Sequence, residues 1–415
     1  MALGNDGTPD PHQVSGVSRI ANDNRIDPAS REIWIVQSCL AHYRTPVFDR
    51  LAERVREKGF TLKVVFDPNE LEGPADANRP YCDPFIRLHE YRVGGVSASR
   101  MIGLLGKIKA RRPAAVIVEG RPAILTNLAL PYVIRRTGGI PLAWVKGHIS
   151  GGTPEGYVSH RLRRLSWLRR RFLEQFDGII CYGQAGREEL EGIGISPEKI
   201  TIAQNTIDTA RIFEQLPDLE ELAEEFKIRH GLEGRRVVLS CGTMYRKKRQ
   251  LDIVEAWPSI HAEHPDAMLV LVGGGEMFES IKTRVTELGD DSIRLTGRVP
   301  EGDDYKWIGA CDVSVMCGGL GLAIQQTLAF GRPMVVADEP GVDGEVVVNG
   351  ETGWRYPRGD VSALAATVSA VLSDPAEASE VAYKGQELIR NNVNIDTMVE
   401  GFIVALDLAG VGRVN

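Results

Sequence analysis

Short apolar runs alternate with amphipathic stretches along nearly the whole chain. The most informative of these lies between Cys311 and Arg332. Val313, Val315 and Met316 fit a buried strand. Gly318, Gly319 and Gly321 follow, then a helical run from Leu322 to Phe330. Gly331 stands where a helix C-cap belongs, and Pro333 bars continuation. An apolar strand, Met334 to Ala337, comes next. Strand, glycine loop, helix and strand make one parallel βαβ unit. Such a loop lets backbone approach a ligand closely, and the helix start behind it favours an anion; the plain alternative is a tight turn in an α/β domain.

The same alternation predicts two series. The first has strands at Ile33–Gln37, Leu62–Phe66, Val116–Glu119, Pro141–Lys146, Gly178–Tyr182 and Ile200–Ala203. Pro46 opens a helix reaching about Lys58, and residues 67 to 95, with four prolines, read as a long irregular loop over a cleft. The second has strands at Val237–Ser240, Met268–Val272, Ile293–Thr296, Val313–Met316, Met334–Ala337 and Gly353–Tyr356. Repeated βα units imply parallel sheets wrapped on both faces, hence two doubly wound α/β domains. The expected divisions are a flexible polar tail at 1–30, a first domain at 31–207, an acidic helical connector at 208–234, a second domain at 235–390, and a terminal segment at 391–415. In that segment Met398, Phe402, Ile403 and Leu406 share one helical face, and Thr397 with Glu400 reads as a capping box.

Composition narrows the function classes. The 415 residues are 43% hydrophobic and 25% charged, with a net charge of -7. That suits a soluble globular protein and argues against a generic nucleic-acid binder. No apolar run is long enough to span a membrane, and no signal peptide is read at the N-terminus. The six cysteines are scattered with no C-x-x-C pair, so reduced thiols in the cytosol are expected and a structural zinc is not.

Candidate chemistry gathers at strand ends of the second domain. After Cys241 comes Gly242-Thr243-Met244-Tyr245-Arg246-Lys247-Lys248-Arg249. A glycine and a run of cations at the C-terminal edge of a parallel sheet suit a phosphate; the bland reading is a solvated charge run. Gly273-Gly274-Gly275-Glu276 follows the next strand, but Phe278 stands where the dinucleotide fingerprint needs glycine. Gly297-Arg298-Val299-Pro300 follows the third. With the loop Gly318-Gly319-Leu320-Gly321-Leu322, these edges converge on one crevice suited to a nucleoside diphosphate.

Val270-x-Val-Gly-Gly-Gly, Leu295-Thr-Gly-Arg-Val, Ala310-Cys-Asp-Val-Ser-Val-Met, Leu328-Ala-Phe-Gly-Arg-Pro-Met-Val-Val and Glu345-Val-Val-Val-Asn-Gly-Glu-Thr-Gly resemble the C-terminal half of the family-four retaining glycosyltransferases. Asn205-Thr-Ile-Asp is similar to that family's domain junction. The resemblance implies the GT-B fold: two Rossmann-like domains facing a cleft, with a last helix crossing back to the first. It implies that Lys248 holds the donor diphosphate, that Gly297 and Val299 lie along the base, and that Thr243 stands where the family has arginine, with Arg246 or Lys247 as substitutes. The family's two glutamates fall on Gly318 and Gln326. Gln326 keeps hydrogen-bonding capacity toward ribose hydroxyls; Gly318 offers only its N–H.

His148 is similar in position to the family's acceptor-side histidine, and Arg44, in the first β-to-α loop with His42 and Tyr43, is placed to meet a diphosphate or acidic acceptor. His148, Lys248 and Arg44 are thus the candidate catalytic residues. Gly242, Thr243, Arg246, Lys247, Gly274, Gly297, Arg298, Val299, Gly318, Gly319, Leu320, Gly321, Leu322 and Gln326 are the candidate donor contacts. No metal or cofactor is expected; the co-substrate is a UDP-sugar ahead of a GDP-sugar. The helix His160–Gln175 carries Arg161, Arg163, Arg164, Arg169, Arg170 and Arg171, with Leu162, Leu165, Leu168 and Phe172 reading as its inward face. Such a helix can dock on anionic lipid, or be solvated and closed by carboxylates such as Glu174. The resulting expectation is a cytoplasmic hexosyltransferase acting on a glycan or lipid-linked acceptor, docked on the inner face of the cytoplasmic membrane. The alternatives are a non-catalytic nucleotide or glycan binder, and a sugar-nucleotide epimerase of the same fold using His148 and Glu119.

Overall fold

The structure is a computed structural model, and it describes residues 30–72, 77–93, 96–146, 160–300, 302–339 and 344–412. Its first lobe holds a seven-stranded parallel sheet. In spatial order the strands are Ile200–Ile202, Gly178–Cys181, Ile140–Val145, Ala115–Glu119, Glu32–Val36, Thr61–Val65 and Cys82–Asp83. The second lobe holds six parallel strands, in the order Ile293–Gly297, Ala267–Val272, Arg236–Cys241, Val313–Met316, Met334–Asp338 and Trp354–Pro357. Strands such as Ile140–Val145 and Ala267–Val272 are buried at every position. Helices cover both faces of each sheet, so continuous apolar runs rather than alternation are what the fold requires. Along Ala267–Val272, Val270 and Val272 enter the core on one face while Leu269 and Leu271 enter the core on the other.

Each strand order reverses once: between Ala115–Glu119 and Glu32–Val36 in the first lobe, and between Arg236–Cys241 and Val313–Met316 in the second. At such a reversal the adjoining loops diverge and leave a crevice beyond the carboxyl ends of the strands.

The predicted strands and the observed ones differ at most ends by a residue or two. Three features depart further. The segment read as a long loop holds the strand Arg87–Val93, which pairs antiparallel with Val96–Ile102 just beyond it. The dipeptide Gly94-Gly95 between those strands is a hairpin signal that the prolines upstream obscure. The acidic stretch read as a connector is the helix Thr209–Arg229, and its Ile212 and Phe226 lie in the second lobe's core. Finally, the capping box of the last helix, Ile395–Leu408, is formed by Asn394 and Thr397 rather than Thr397 and Glu400. Asn394 Oδ1 accepts from Thr397 N at 3.0 Å, and Thr397 Oγ1 accepts from Asn394 N at 3.2 Å. The helix starts two residues earlier than its apolar face suggests, because a short amide at the N-cap satisfies the first free N–H groups.

That last helix packs into the first lobe. Met398, Val399, Phe402, Ile403 and Leu406 join a core with Phe48, Leu51 and Trp144. Arg54 and Lys58 pair with its Glu400 and Asp407, both at 2.8 Å.

Candidate functional site

The crevice of the second lobe is built by the loops after Arg236–Cys241 and Val313–Met316. The first loop runs from Gly242 through one 3-10 turn, Arg246–Lys248, into the helix Gln250–Glu263. Its cations have separate fates. Arg249 is engaged by Asp252 at 2.7 Å, while Arg246 and Lys247 are exposed. Lys248 is partly buried, and its Nζ donates to the Gly319 carbonyl at 2.5 Å. The two loops that the sequence placed in one crevice are therefore joined through Lys248.

The second loop has no space for side chains on one side. A Cβ at Gly318 would meet the Lys247 carbonyl at 2.6 Å. Gly319 sits at φ +54 with Lys247 and Lys248 against it. Leu320 and Leu322 lean onto the lobe's core. The helix that follows is short, Ala323–Ala329. Gln326 lies on this helix, and burial raises the pKa of the nearby Tyr305 phenol.

The glycines after Ala267–Val272 serve loop-on-loop packing. A Cβ at Gly273 would meet Gly242 O at 2.0 Å, and one at Gly275 would meet Met244 O at 2.2 Å. Met244 N in turn donates to Gly274 O at 3.0 Å. Arg298 folds its side chain over Gly274. Arg298 and Val299 also border a cavity of about 370 Å³ shared with Phe226, His230 and Trp307. Burial, then the nearby Arg294 and Arg229, push the His230 imidazole below its ordinary pKa. Thr243 is exposed at the rim, and Gly242 and Gly297 take positive φ where their strands turn out of the sheet.

In the first lobe Arg44 is 4% exposed. Its guanidinium lies 4.9 to 5.2 Å from the ring centres of Tyr43, Trp144 and Tyr182 and donates to Met398 Sδ at 3.7 Å. It thus sits in the wall between sheet and last helix, whereas His42 beside it is exposed. His148 lies outside the described residues. Glu119 accepts from Ser38 N at 2.6 Å and from Ser38 Oγ at 2.7 Å.

The basic helix spans His160–Leu173. The side chains of Arg161, Leu162, Arg163, Arg164 and Leu165 lie outside the described ones. Leu168 does not face inward as its spacing suggested: it is 47% exposed, beside Trp167 at 58%. Phe172 does face inward, as read, and Leu173 joins it; a 3.6-residue repeat counted from them leaves residue 168 near the edge. Arg169 pairs with Glu189 and Arg170 with Glu174, while Arg171 is exposed.

Residues 223–388 match the family described as Glycosyl transferases group 1, and residues 46–211 match Glycosyltransferase Family 4. The chain belongs to these glycosyltransferases. Its fold is GT-B. The structure of Anabaena HepE in complex with UDP superimposes with a TM-score of 0.65 at 15% identity, covering 91% of this chain and 99% of that one. The same protein has been solved with UDP-glucose. Glycogen synthase of Mycobacterium tuberculosis is 27% identical over 272 residues, 62% of this chain and 61% of that protein. A GDP-mannose-dependent phosphatidylinositol monomannoside mannosyltransferase of Mycolicibacterium smegmatis is 29% identical over 197 residues, 45% of this chain and 50% of its own length. The chain therefore spans about half to three-fifths of these curated relatives.

Sequence reasoning missed three residues that join these loops and lobes. Gln325, beside the expected Gln326, is 3% exposed and bridges the lobes: it donates to Asn205 O at 2.6 Å and accepts from Ile207 N at 3.2 Å. Glu345 and Glu339 make contacts described below. All three act on backbone groups distant in sequence, a relationship that no local spacing encodes.

Proposed function

We propose that the protein transfers a hexose from a nucleoside diphosphate sugar to a glycan or lipid-linked acceptor, with retention at the anomeric carbon. The observation that carries this reading is the placement of Lys248 against Gly319 where the second lobe's strand order reverses. A cation at the C-terminal edge of a parallel sheet, at such a reversal, suits a diphosphate. In the transfer, the bond from C1 to the β-phosphate oxygen breaks and charge grows on the leaving diphosphate. Lys248, with the exposed Arg246 and Lys247, meets that charge as fixed cations, so the reading calls on no metal. The new bond joins C1 to the acceptor oxygen on the face the diphosphate leaves, and a phosphate oxygen takes the acceptor proton.

A UDP-sugar donor is supported by the UDP and UDP-glucose complexes of HepE, and the mycobacterial relative's GDP-mannose is the competing choice. A lipid-linked acceptor is supported by that relative's phosphatidylinositol substrate. Among the described residues no helix is long and apolar enough to cross a membrane. Docking on the inner face of a cytoplasmic membrane is supported by exposed Trp167 and Leu168 beside Arg171. Ile102, Leu125, Leu128 and Tyr132 add a second exposed apolar patch on the same lobe, with Arg136 over the Tyr132 ring.

The epimerase alternative loses support because Glu119 is engaged by Ser38. The binding-module alternative is favoured by the absence of a carboxylate at Gly318 and Gln326. Incubation with UDP- and GDP-sugars and a panel of glycan and lipid acceptors, with assay of released nucleoside diphosphate, decides between them. Acceptor-dependent release with the product's α or β configuration matching the donor's is expected. Nucleotide binding without release from any donor would leave the binding module.

A further inference from the structure

Glu339 is the first residue beyond the strand Met334–Asp338, at the same sheet edge as the glycine loop. Its side chain is only 15% exposed. Its Oε2 accepts from Gly319 N at 2.8 Å and from Leu320 N at 3.4 Å. Its Oε1 is ion-paired with Arg358. That same oxygen lies 3.2 Å from where a Cβ on Gly318 would stand. Gly319 is thus held at both ends: its N–H by the Glu339 carboxylate and its C=O by the Lys248 ammonium.

These contacts make a connected set. Charge-assisted hydrogen bonds are the stronger kind, and the loop has no side chain at 318 or 319 to fix it otherwise. Two adjacent N–H groups converging on one carboxylate oxygen define the loop's path. The loop in turn fixes the carbonyl to which Lys248 is bonded. Arg358 both neutralises Glu339 and limits its freedom.

We propose that Glu339 is a positioning residue for sugar transfer: acting through Gly319 and Leu320, it sets the glycine loop, and through the loop it sets Lys248. In doing so it brings to this loop, from the neighbouring strand, a carboxylate that position 318 cannot carry. The proposal rests on the transfer reading above. It is opposed to two other roles for the same contacts. In one, the carboxylate merely occupies amides that the donor phosphate must reclaim. In the other, it only adds stability.

Three proteins test it: wild type, Glu339→Ala and Glu339→Gln. Glutamine keeps an acceptor oxygen within reach of the amides and loses the charge. Hydrogen exchange of peptides covering residues 316–322 reads the loop directly. UDP titration and steady-state turnover read the site. We expect Glu339→Ala to raise exchange in that segment at least tenfold, to weaken UDP binding, and to lower kcat at least tenfold. We expect Glu339→Gln to restore most of the exchange protection and to bring kcat within a few-fold of wild type. Unchanged exchange in Glu339→Ala overturns the proposal. So does tighter UDP binding by Glu339→Ala, which would mark the carboxylate as an occupant. So does an equal loss of melting temperature in both variants with wild-type kcat and UDP affinity. Should the wild type turn over no donor, the proposed function fails, and the exchange arm still decides whether Glu339 positions the loop.

Discussion

The Glu345 carboxylate, on the second lobe, accepts a hydrogen bond from the Ala185 backbone N–H, on the first, at 2.9 Å. It also accepts from Gln184 N at 3.2 Å and from the Gln204 side chain at 2.9 Å. Residues 184 and 185 open the helix Gln184–Gly192, so a negative group from the opposite lobe caps free N–H groups there. Gly183 makes the approach possible, because a Cβ there would stand 1.8 Å from Glu345 Oε1. Glu345→Ala removes a contact worth about 0.5–2 kcal/mol between lobes. The expected outcome is a larger radius of gyration by small-angle X-ray scattering and a raised KM for acceptor, with little change in UDP affinity, since Lys248 and its loop are untouched.

Lys248→Ala removes the ammonium at the centre of the proposed diphosphate site. A charged hydrogen bond of this kind contributes about 2 kcal/mol, or roughly thirtyfold in affinity. Calorimetric titration with UDP should show that loss. Wild-type affinity in the variant would place the diphosphate elsewhere.

Asp67 gives a pH prediction. It is 3% exposed. Burial raises its pKa, but hydrogen bonds from Asn69 N and Leu88 N and the nearby Arg87 outweigh burial, so the net shift is downward. A carboxyl with a lowered folded pKa binds fewer protons folded than unfolded at acid pH. Its contribution is complete above the unfolded value of about 3.9 and fades as pH falls toward the folded one. Denaturant unfolding of Asp67→Asn should show lower stability at pH 7, by about 1–3 kcal/mol, and a shallower acid limb than wild type below pH 4.

The sequence reading reached the fold through a simple regularity. Doubly wound sheets bury their strands on both faces, so Val313–Met316 and Met268–Val272 stand out as apolar runs ended by glycine. Gly318 and Gly319 are legible because they follow Val313–Met316 closely, and Lys248 because it stands in the loop after Arg236–Cys241. What escaped is of another kind. Gln325, Glu339 and Glu345 matter through the backbone amides or carbonyls they meet, at Asn205, Gly319 and Ala185. Those partners are fixed only when two strands or two lobes come together. The Gly273-Gly274-Gly275 edge reads as part of the ligand crevice, yet the missing side chains of Gly273 and Gly275 make space for Gly242 and Met244.

Thiol chemistry offers a further check. Burial pushes Cys181, Cys241, Cys311 and Cys317 up to about 12. At pH 8 only about one in ten thousand of each is thiolate, the reactive form. A maleimide or disulfide reagent at pH 8 should modify Cys39 and Cys82 in the native protein, with the other four appearing only on unfolding. Mass spectrometry of the labelled peptides would reveal any departure.

The helix Ile395–Leu408 places Phe402 against Trp144, ring centres 4.9 Å apart. The earlier half of the polypeptide therefore lacks part of its own interior when it leaves the ribosome. It must wait, with an apolar trough uncovered, while the following two hundred or so residues are synthesised and folded. A cut near Asn205 therefore leaves the first half without Met398, Phe402 and Leu406, side chains its interior is built around.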